Sequence, residues 1–221
     1  MLFRSALHSS TLSDIAGATE QNVLKWADAL TTDSKASQKI YKEKLGLDFV
    51  YMPSPIDTTK FQDLGEVEKK ENQIAYVGRD SYEKGIDILR QIEPKINGTV
   101  VYSTNLPWKE AMRIIKSSSI VVVPSRMESL PTVVKEAFYL KVPVIANAVG
   151  GIPELVIDGN TGILVPPENP DKLLDQINSL LQDKKYAKKL ADAAYDFVIN
   201  NMTWNTILPK YVKFYESLLE S

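Results

Sequence analysis

The sequence predicts an α/β protein built on a doubly wound parallel sheet, and two observations support this prediction. Segments typical of strands and of helices alternate from Phe49 to Leu181, as they do when helices cover both faces of a parallel sheet. The strands are short apolar runs such as Ile74–Val77 and Ile120–Val123, which is typical of strands buried on both faces. Ligands of such sheets bind at the carboxyl ends of the strands. We therefore examine the points at which each strand gives way to a helix.

Length and composition set further bounds. The chain has 221 residues, 44% of them hydrophobic and 24% charged, with a net charge of −2. This length corresponds to one large domain, or to one domain with part of another. The small net charge argues against nucleic acid as a partner. The lack of cysteine excludes disulfides, a thiol nucleophile and zinc–cysteine clusters. The single histidine, His8, excludes a multi-histidine metal site.

We expect neither a membrane span nor a signal peptide from the sequence. No apolar run reaches the length of a membrane span, and the first residues lack the apolar core of a signal peptide. We expect a cytoplasmic protein, an expectation that leaves peripheral association with a membrane open.

The first part of the chain predicts a helix that ends near Ala27 and a short strand at Leu30–Thr32. Ser34 then caps a helix over Lys35–Leu45, which Gly46 closes. A strand follows at Phe49–Met52, and the charged residues 63–71 indicate a solvated loop.

The strand Ile74–Val77 leads into the first candidate binding segment. Gly78 lets a ligand approach the backbone closely. Arg79 and Lys84 flank the polar loop that follows and opens a helix over Gly85–Ile92. An arginine fork and a lysine charge beside a helix start suit a diphosphate. The alternative is that both are ordinary surface bases.

The second candidate segment follows the strand Ile120–Val123. Pro131 is predicted at the first helical position, so the backbone N–H groups of Thr132 and Val133 would be unpaired and available to a phosphate. Two glutamates, Glu128 and Glu136, bracket this anion site. Ionised carboxylates only accept hydrogen bonds, and sugar hydroxyls donate them, so the pattern suits a phosphate that carries a sugar. The alternative is an acidic loop followed by a solvent-facing glutamate.

The rest of the chain predicts mainly structural elements. Thr99–Tyr102 is a strand, and Pro107 opens a helix that runs to Lys116. Val142–Ala146 is a strand, which leads into a tight turn at Gly150-Gly151, a short helix from Pro153 and a hairpin-like bend at residues 158–162. Three helices follow, and we expect their aromatic residues to pack in the core. The helices are Asp171–Leu181, Tyr186–Ile199 and Ile207–Leu219, the last with Tyr211, Phe214 and Tyr215.

Three of these segments, in this order, resemble the group 1 retaining glycosyltransferases of the GT-B fold. VGRDSYEKG at 77–85 is similar to the family's Gly-Arg…Lys-Gly segment, and ESLPTVVKE at 128–136 is similar to its Glu, seven residues, Glu signature. GGIPELVIDGNTGILV at 150–165 resembles the family over its whole length. The resemblance covers residues 26–215. It implies that residues 1–33 are a remnant of an otherwise largely absent N-terminal acceptor lobe, that 34–200 form the Rossmann-like, nucleotide-sugar-binding domain, and that 201–221 form a C-terminal crossing helix.

The resemblance also implies an activity and a set of roles. The chain would be part of a metal-independent, retaining hexosyltransferase that uses a nucleotide-diphosphate sugar and no cofactor, with a carbohydrate or lipid-linked acceptor. Arg79 and Lys84 would stabilise the departing diphosphate, Glu128 would bind the sugar, and Glu136 would bind the ribose. The other donor-site residues that it implies are Gly78, Ser129, Leu130, Pro131, Thr132 and Val133, with Ser103 and Thr104 near the nucleobase.

The sequence departs from the family in two places and leaves other functions open. Ser54 and Pro55 replace the Asn and Gly of the family's interdomain segment, and about one strand–helix unit is missing before the central strand. One alternative is a non-catalytic nucleotide-sugar-binding module that needs a separate acceptor lobe. That lobe would lie on another chain or be supplied within a homo-oligomer. His8 is a remnant of an active site or an inconsequential surface residue. Because the chain has neither a Gly-x-Gly-x-x-Gly turn nor a Gly-Lys-Ser/Thr loop, a dinucleotide oxidoreductase and a phosphate-loop nucleotidase are disfavoured.

Overall fold

The structure is a computed structural model that describes residue 24 and residues 26–220. His8 and most of the first predicted helix lie outside these described residues. The strands are β1 (Thr31–Thr32), β2 (Val50–Tyr51), β3 (Gln73–Val77), β4 (Thr99–Ser103), β5 (Ile120–Val123), β6 (Val144–Asn147) and β7 (Ile163–Val165). The helices are α1 (Lys35–Leu45), α2 (Ile86–Ile92), α3 (Trp108–Ser117), α4 (Thr132–Tyr139), α5 (Ile152–Leu155), α6 (Pro170–Gln182), α7 (Lys184–Asn201) and α8 (Trp204–Leu219).

The centre of the fold is a five-stranded sheet in the order β4-β3-β5-β6-β7, and every neighbouring pair is parallel. The chain runs from β3 to one edge at β4, and then returns to β5 and runs to the other edge at β7. The strand order therefore reverses between β3 and β5, which is where open α/β sheets bind ligands. A separate pair, β1 and β2, is also parallel. This arrangement confirms the predicted α/β fold with a doubly wound parallel sheet.

The central strands are buried on both faces, as their apolar runs predict. Ala75 and Val121 belong to one hydrophobic core, which α3, α4 and α7 complete. Ile74 and Ile120 belong to a second core on the other face, which α2 and α6 complete. Burying one such side chain contributes about 1.5–3 kcal/mol, so both layers of helices are held firmly to the sheet.

The helix after β1 begins and ends where the sequence predicts. Ser34 caps α1 and its hydroxyl accepts a hydrogen bond from the Ser37 amide, while Gly46 ends the helix with a φ of +66°. The predicted solvated loop at residues 63–71 is wrong at its start, because a 3₁₀ helix covers Thr58–Leu64. Leu64 is buried in the core, and its carbonyl accepts a hydrogen bond from Arg113.

The predicted core packing of the aromatic residues in the last helix holds only in part, because Tyr211 packs against the hydrophobic core and Tyr215 does not. Within α8, all of which the structure describes, only Ile207 is buried. Tyr215 is 60% exposed, and Tyr211 is half-buried because its hydroxyl reaches the carbonyls of Met52 and Pro53 at 3.4 Å. The helix therefore lies on the surface and contacts the rest of the protein through one edge. Among the helices that the structure describes, none is both long and apolar enough to cross a membrane.

Candidate functional site

A cavity of about 380 Å³ opens at the carboxyl ends of β3 and β5. Most of the predicted site residues line it together, although they come from two distant segments of the chain. They are Gly78, Arg79, Lys84, Glu128, Ser129, Leu130, Pro131, Thr132 and Val133. Three predicted residues, Glu136, Ser103 and Thr104, are not in its lining.

The loop after β3 brings two bases to this cavity. The Arg79 guanidinium is exposed and forms no ion pair within the described residues. The backbone of Arg79 is fixed, because its carbonyl accepts a hydrogen bond of 2.7 Å from the Tyr76 hydroxyl. Burial raises the pKa of Tyr76 to about 12, so this hydroxyl keeps its proton at neutral pH. The arginine is therefore held by its backbone and free at its charged end.

Lys84 pairs directly with Glu128. Its Nζ lies 2.6 Å from Glu128 Oε1, and the two side chains are 25% and 9% exposed. Ser125 Oγ donates a second hydrogen bond of 2.8 Å to the same oxygen. Lys84, the predicted diphosphate base, and Glu128, the predicted sugar carboxylate, are thus neighbours. Lys84 is therefore not an ordinary surface lysine. An anion that binds Lys84 has to share this charge-assisted contact with Glu128.

The start of α4 forms the third side of the cavity. The helix begins at Thr132, so Pro131 is the residue just before it rather than its first residue, a shift of one position from the prediction. The first amides of a helix have no intrahelical acceptor, and those of Thr132 and Val133 therefore carry partial positive charge at the cavity.

Two glycines hold the Glu128 loop in place. A Cβ added at Gly150, which has a φ of +52°, would lie 1.8 Å from the Glu128 carbonyl oxygen. One added at Gly151 would lie 2.0 Å from the Ser129 carbonyl oxygen. The Gly-Gly turn, predicted only as a tight turn, is thus the backbone support of the loop that carries the glutamate.

Glu136 is a buried residue rather than a solvent-facing one, which excludes that alternative. It is 9% exposed, and Trp108 Nε1 donates a hydrogen bond of 2.7 Å to its Oε1. Burial raises the pKa of this carboxyl, and the bond from Trp108 opposes the rise. The sequence reasoning missed Trp108, although an indole at the first position of a helix after a strand end was the available signal.

The end of β4 lies beside Gly78. The Gly78 amide donates a hydrogen bond of 3.2 Å to the Ser103 carbonyl. The Ser103 side chain is buried, and its hydroxyl has no hydrogen-bond partner within the described residues. Thr104 follows in a half-buried position. β4 is an edge strand of the sheet, so no further strand of the described residues pairs with it on its outer side.

The structure adds residues that the sequence reasoning did not select. Asp33 and Tyr76 line the cavity. Arg126 joins the two binding loops, since its guanidinium donates a hydrogen bond of 2.8 Å to the Tyr82 carbonyl and lies 3.9 Å from the centre of the Tyr82 ring. It also pairs with Asp87 and Glu168. The signal for Arg126 was its place beside the acidic signature, but its partners lie on other segments of the chain.

Comparison with known proteins matches part of this chain to a family. A family model described as glycosyl transferases group 1 matches residues 93–197. An uncharacterized glycosyltransferase of Methanocaldococcus jannaschii is 28% identical over 183 residues, which are 70% of this chain and 47% of that protein. A D-inositol 3-phosphate glycosyltransferase of Corynebacterium diphtheriae is 34% identical over 49% of this chain and 25% of its own length. This chain thus spans about half or less of the length of these relatives.

Solved structures share the fold. Sucrose-phosphate synthase from Thermosynechococcus elongatus aligns with a TM-score of 0.81 at 21% identity, over 96% of this chain and 64% of that one. Anabaena Alr3699/HepE, solved in complex with UDP-glucose, aligns with a TM-score of 0.79 at 18% identity, over 96% of this chain and 70% of that one. Residues 93–197 thus match the glycosyl transferases group 1 family, and the chain as a whole shares its fold with these two solved structures.

Proposed function

We propose that this chain binds a nucleotide-diphosphate sugar in the cavity between β3 and β5, and that the sugar is transferred with retention to a carbohydrate or lipid-linked acceptor. One observation carries this proposal. Arg79, Lys84, the start of α4 and Glu128 converge on one cavity of about 380 Å³. Positive groups and a hydrogen-bond-accepting carboxylate side by side suit a diphosphate joined to a sugar.

The positive groups are proposed to stabilise the diphosphate as it leaves. The Arg79 guanidinium forms no ion pair in the part of the chain that the structure describes, and the amides of Thr132 and Val133 add a second set of donors. Groups placed to receive developing charge stabilise the transition state, and removing one such donor costs about 10²–10³ in kcat. These groups supply the charge in our proposal, which involves no metal and no cofactor.

Glu128 is proposed to bind hydroxyls of the donor sugar. Lys84 and Ser125 both bind its Oε1, which fixes the carboxylate and leaves Oε2 for the sugar. We propose that this carboxylate binds and positions the sugar and does not act as a covalent nucleophile.

The nucleoside is proposed to lie beyond Gly78, toward β4. Trp108 orients Glu136 through one oxygen, so that the other is available for ribose hydroxyls. Ser103 and the adjacent Thr104 are proposed to face the nucleobase, since the buried Ser103 hydroxyl has no hydrogen-bond partner among the residues that the structure describes. The Anabaena neighbour was solved with UDP-glucose, which makes UDP the first nucleotide to test. We expect the enzyme to act in the cytoplasm.

Calorimetric titration with UDP, GDP and ADP and their common sugar conjugates tests this proposal. Arg79→Ala should weaken binding of the preferred nucleotide about 10-fold to 100-fold, since a hydrogen bond to a charged group contributes about 1.5–3 kcal/mol. Glu136→Ala should weaken binding as well. Lys213→Ala, which removes the same charge from exposed α8, is the control and should bind normally. No binding of any nucleotide by the folded wild-type chain at millimolar concentration would overturn the donor site.

A transfer assay then separates an enzyme from a binding module. Hydrolysis or transfer of the sugar from the bound conjugate, lost in Arg79→Ala, supports catalysis. Tight binding with no turnover, alone or with candidate partner chains that supply an acceptor lobe, favours the non-catalytic module.

A further inference from the structure

A second carboxylate lines the cavity, and it comes from a segment outside the five-stranded sheet. Asp33 directly follows β1 and lines the cavity together with Arg79, Lys84 and Glu128. We propose that the Asp33 carboxylate accepts a hydrogen bond from a hydroxyl of the donor sugar and so helps to determine which sugar is bound. This inference rests on the proposed function and concerns the same site.

Ser129 holds the Asp33 side chain in position. The Ser129 hydroxyl donates a hydrogen bond to Asp33 Oδ1. Ser129 is itself surrounded by hydroxyls, because Ser34 Oγ and Ser37 Oγ lie 3.2 and 3.0 Å from its Oγ. Asp33 Oδ2 makes no hydrogen bond within the described residues. One oxygen is therefore anchored, and the other is available to a ligand.

The whole segment that carries Asp33 is fixed to the supports of the Glu128 loop. The Glu154 carboxylate accepts hydrogen bonds of 3.0 and 2.9 Å from the Lys35 and Ala36 amides, which satisfies the start of α1 from across the chain. A Cβ at Gly151 would lie 2.7 Å from the Ser34 Cβ, so this glycine permits the close approach. Because the same Gly-Gly turn supports Glu128, the two carboxylates are held in a fixed relation.

The chemistry of the cavity selects a hydroxyl rather than a phosphate as the partner of Asp33. An ionised carboxylate repels an anion and can only accept hydrogen bonds. The phosphates have their own partners in Arg79, Lys84 and the start of α4. Asp33 and Glu128 form the accepting part of the cavity, and hydrogen bonds from hydroxyls to carboxylates are strong. Asp33 should therefore contribute to binding of the sugar and not to binding of the nucleoside diphosphate.

Calorimetry with UDP-glucose and with UDP tests whether Asp33 contributes to binding of the sugar alone. If UDP does not bind, GDP and ADP are each compared with their sugar conjugates instead. Asp33→Asn keeps the size and the acceptor for Ser129. It should weaken UDP-glucose binding about 10-fold or more, with UDP affinity unchanged. Asp48→Asn, an exposed aspartate between α1 and β2, is the matched control and should leave both affinities unchanged. If Asp33→Asn does not fold, Ser129→Ala takes its place, because it frees the same carboxylate from its anchor.

Several results would overturn the inference. Equal UDP-glucose affinity in wild type and Asp33→Asn would exclude contact with the donor sugar. An equal loss for UDP and UDP-glucose would assign Asp33 to the structure of the site. An unchanged donor affinity with a raised KM for the acceptor would assign it to the acceptor hydroxyl instead. If wild type binds no nucleotide, the proposed function and this inference both fail. If wild type binds UDP-glucose and Asp33→Asn binds it equally well, only this inference fails, so the two failures are distinguishable.

Discussion

Replacing Gly85 by alanine should disrupt the junction between the two binding loops. Gly85 follows Lys84 and has a φ of +65°, and its added Cβ would lie 2.0 Å from the Pro124 carbonyl oxygen. Pro124 directly follows β5 and leads into the Glu128 loop. Two costs therefore add. The left-handed conformation costs alanine about 1–2 kcal/mol, and overpacking costs about 1–3 kcal/mol more.

Gly46→Ala provides a matched control for the first cost. Gly46 has a φ of +66°, and a Cβ added there meets nothing within 4 Å. Urea unfolding followed by circular dichroism should show a loss of about 1–2 kcal/mol for Gly46→Ala and about 2–5 kcal/mol for Gly85→Ala. The difference between the two variants measures the close approach of the loops.

The affinity for the nucleoside diphosphate should also differ between Gly85→Ala and Gly46→Ala. Moving Pro124 or Gly85 by the ~1 Å that relieves the contact displaces Lys84 relative to Glu128, and positioning errors of this size weaken a site strongly. Gly85→Ala should therefore bind the nucleoside diphosphate more weakly, and Gly46→Ala should bind it normally. Equal losses of stability in the two variants, within about 0.5 kcal/mol, would refute the reasoning.

Three further predictions follow from single contacts. Burial lowers the pKa of Lys135 to about 8, against the opposing influence of Asp33 and Glu136. The unfolded chain keeps the lysine proton at pH values where the folded protein has released it, so stability rises with pH there. Between about pH 7 and 9.5 wild type should gain about 2 kcal/mol relative to Lys135→Met, and parallel urea-unfolding profiles would contradict this. Arg126→Lys keeps the charge but loses the guanidinium fork that bonds the carboxylates of Asp87 and Glu168. It should lower the free energy of unfolding by about 1–3 kcal/mol and weaken nucleotide binding. An unchanged nucleotide affinity in calorimetry would rule out the linking role of Arg126. Trp108→Phe removes the donor to Glu136, so it should weaken UDP binding about 10-fold and leave pyrophosphate binding unchanged; an equal loss for both ligands would place the indole at the phosphates.

Much of the fold follows from local sequence. The limits of α1 depend on a serine cap and a closing glycine, which act within one turn of the chain. The strands of the central sheet are apolar over their whole length because both faces are covered, and such runs are visible without knowing the partners. The binding loops follow these strands, so their place at one edge of the sheet was also predictable. The roles of the binding residues remain predictions.

The contacts that define the site depend on packing between distant segments. Lys84 and Glu128 are 44 positions apart, Trp108 and Glu136 are 28 apart, and Asp33 and Ser129 are 96 apart. The charge and size of each residue are in the sequence, but its partner depends on how the helices lie on the sheet. For the same reason an aromatic residue of α8 such as Tyr215, apolar in pattern, is exposed. The sequence by itself determined the order of strands and helices and the positions of the loops, because these depend on nearby residues. The tertiary structure alone decided which side chains meet in the cavity, because that depends on contacts across the chain.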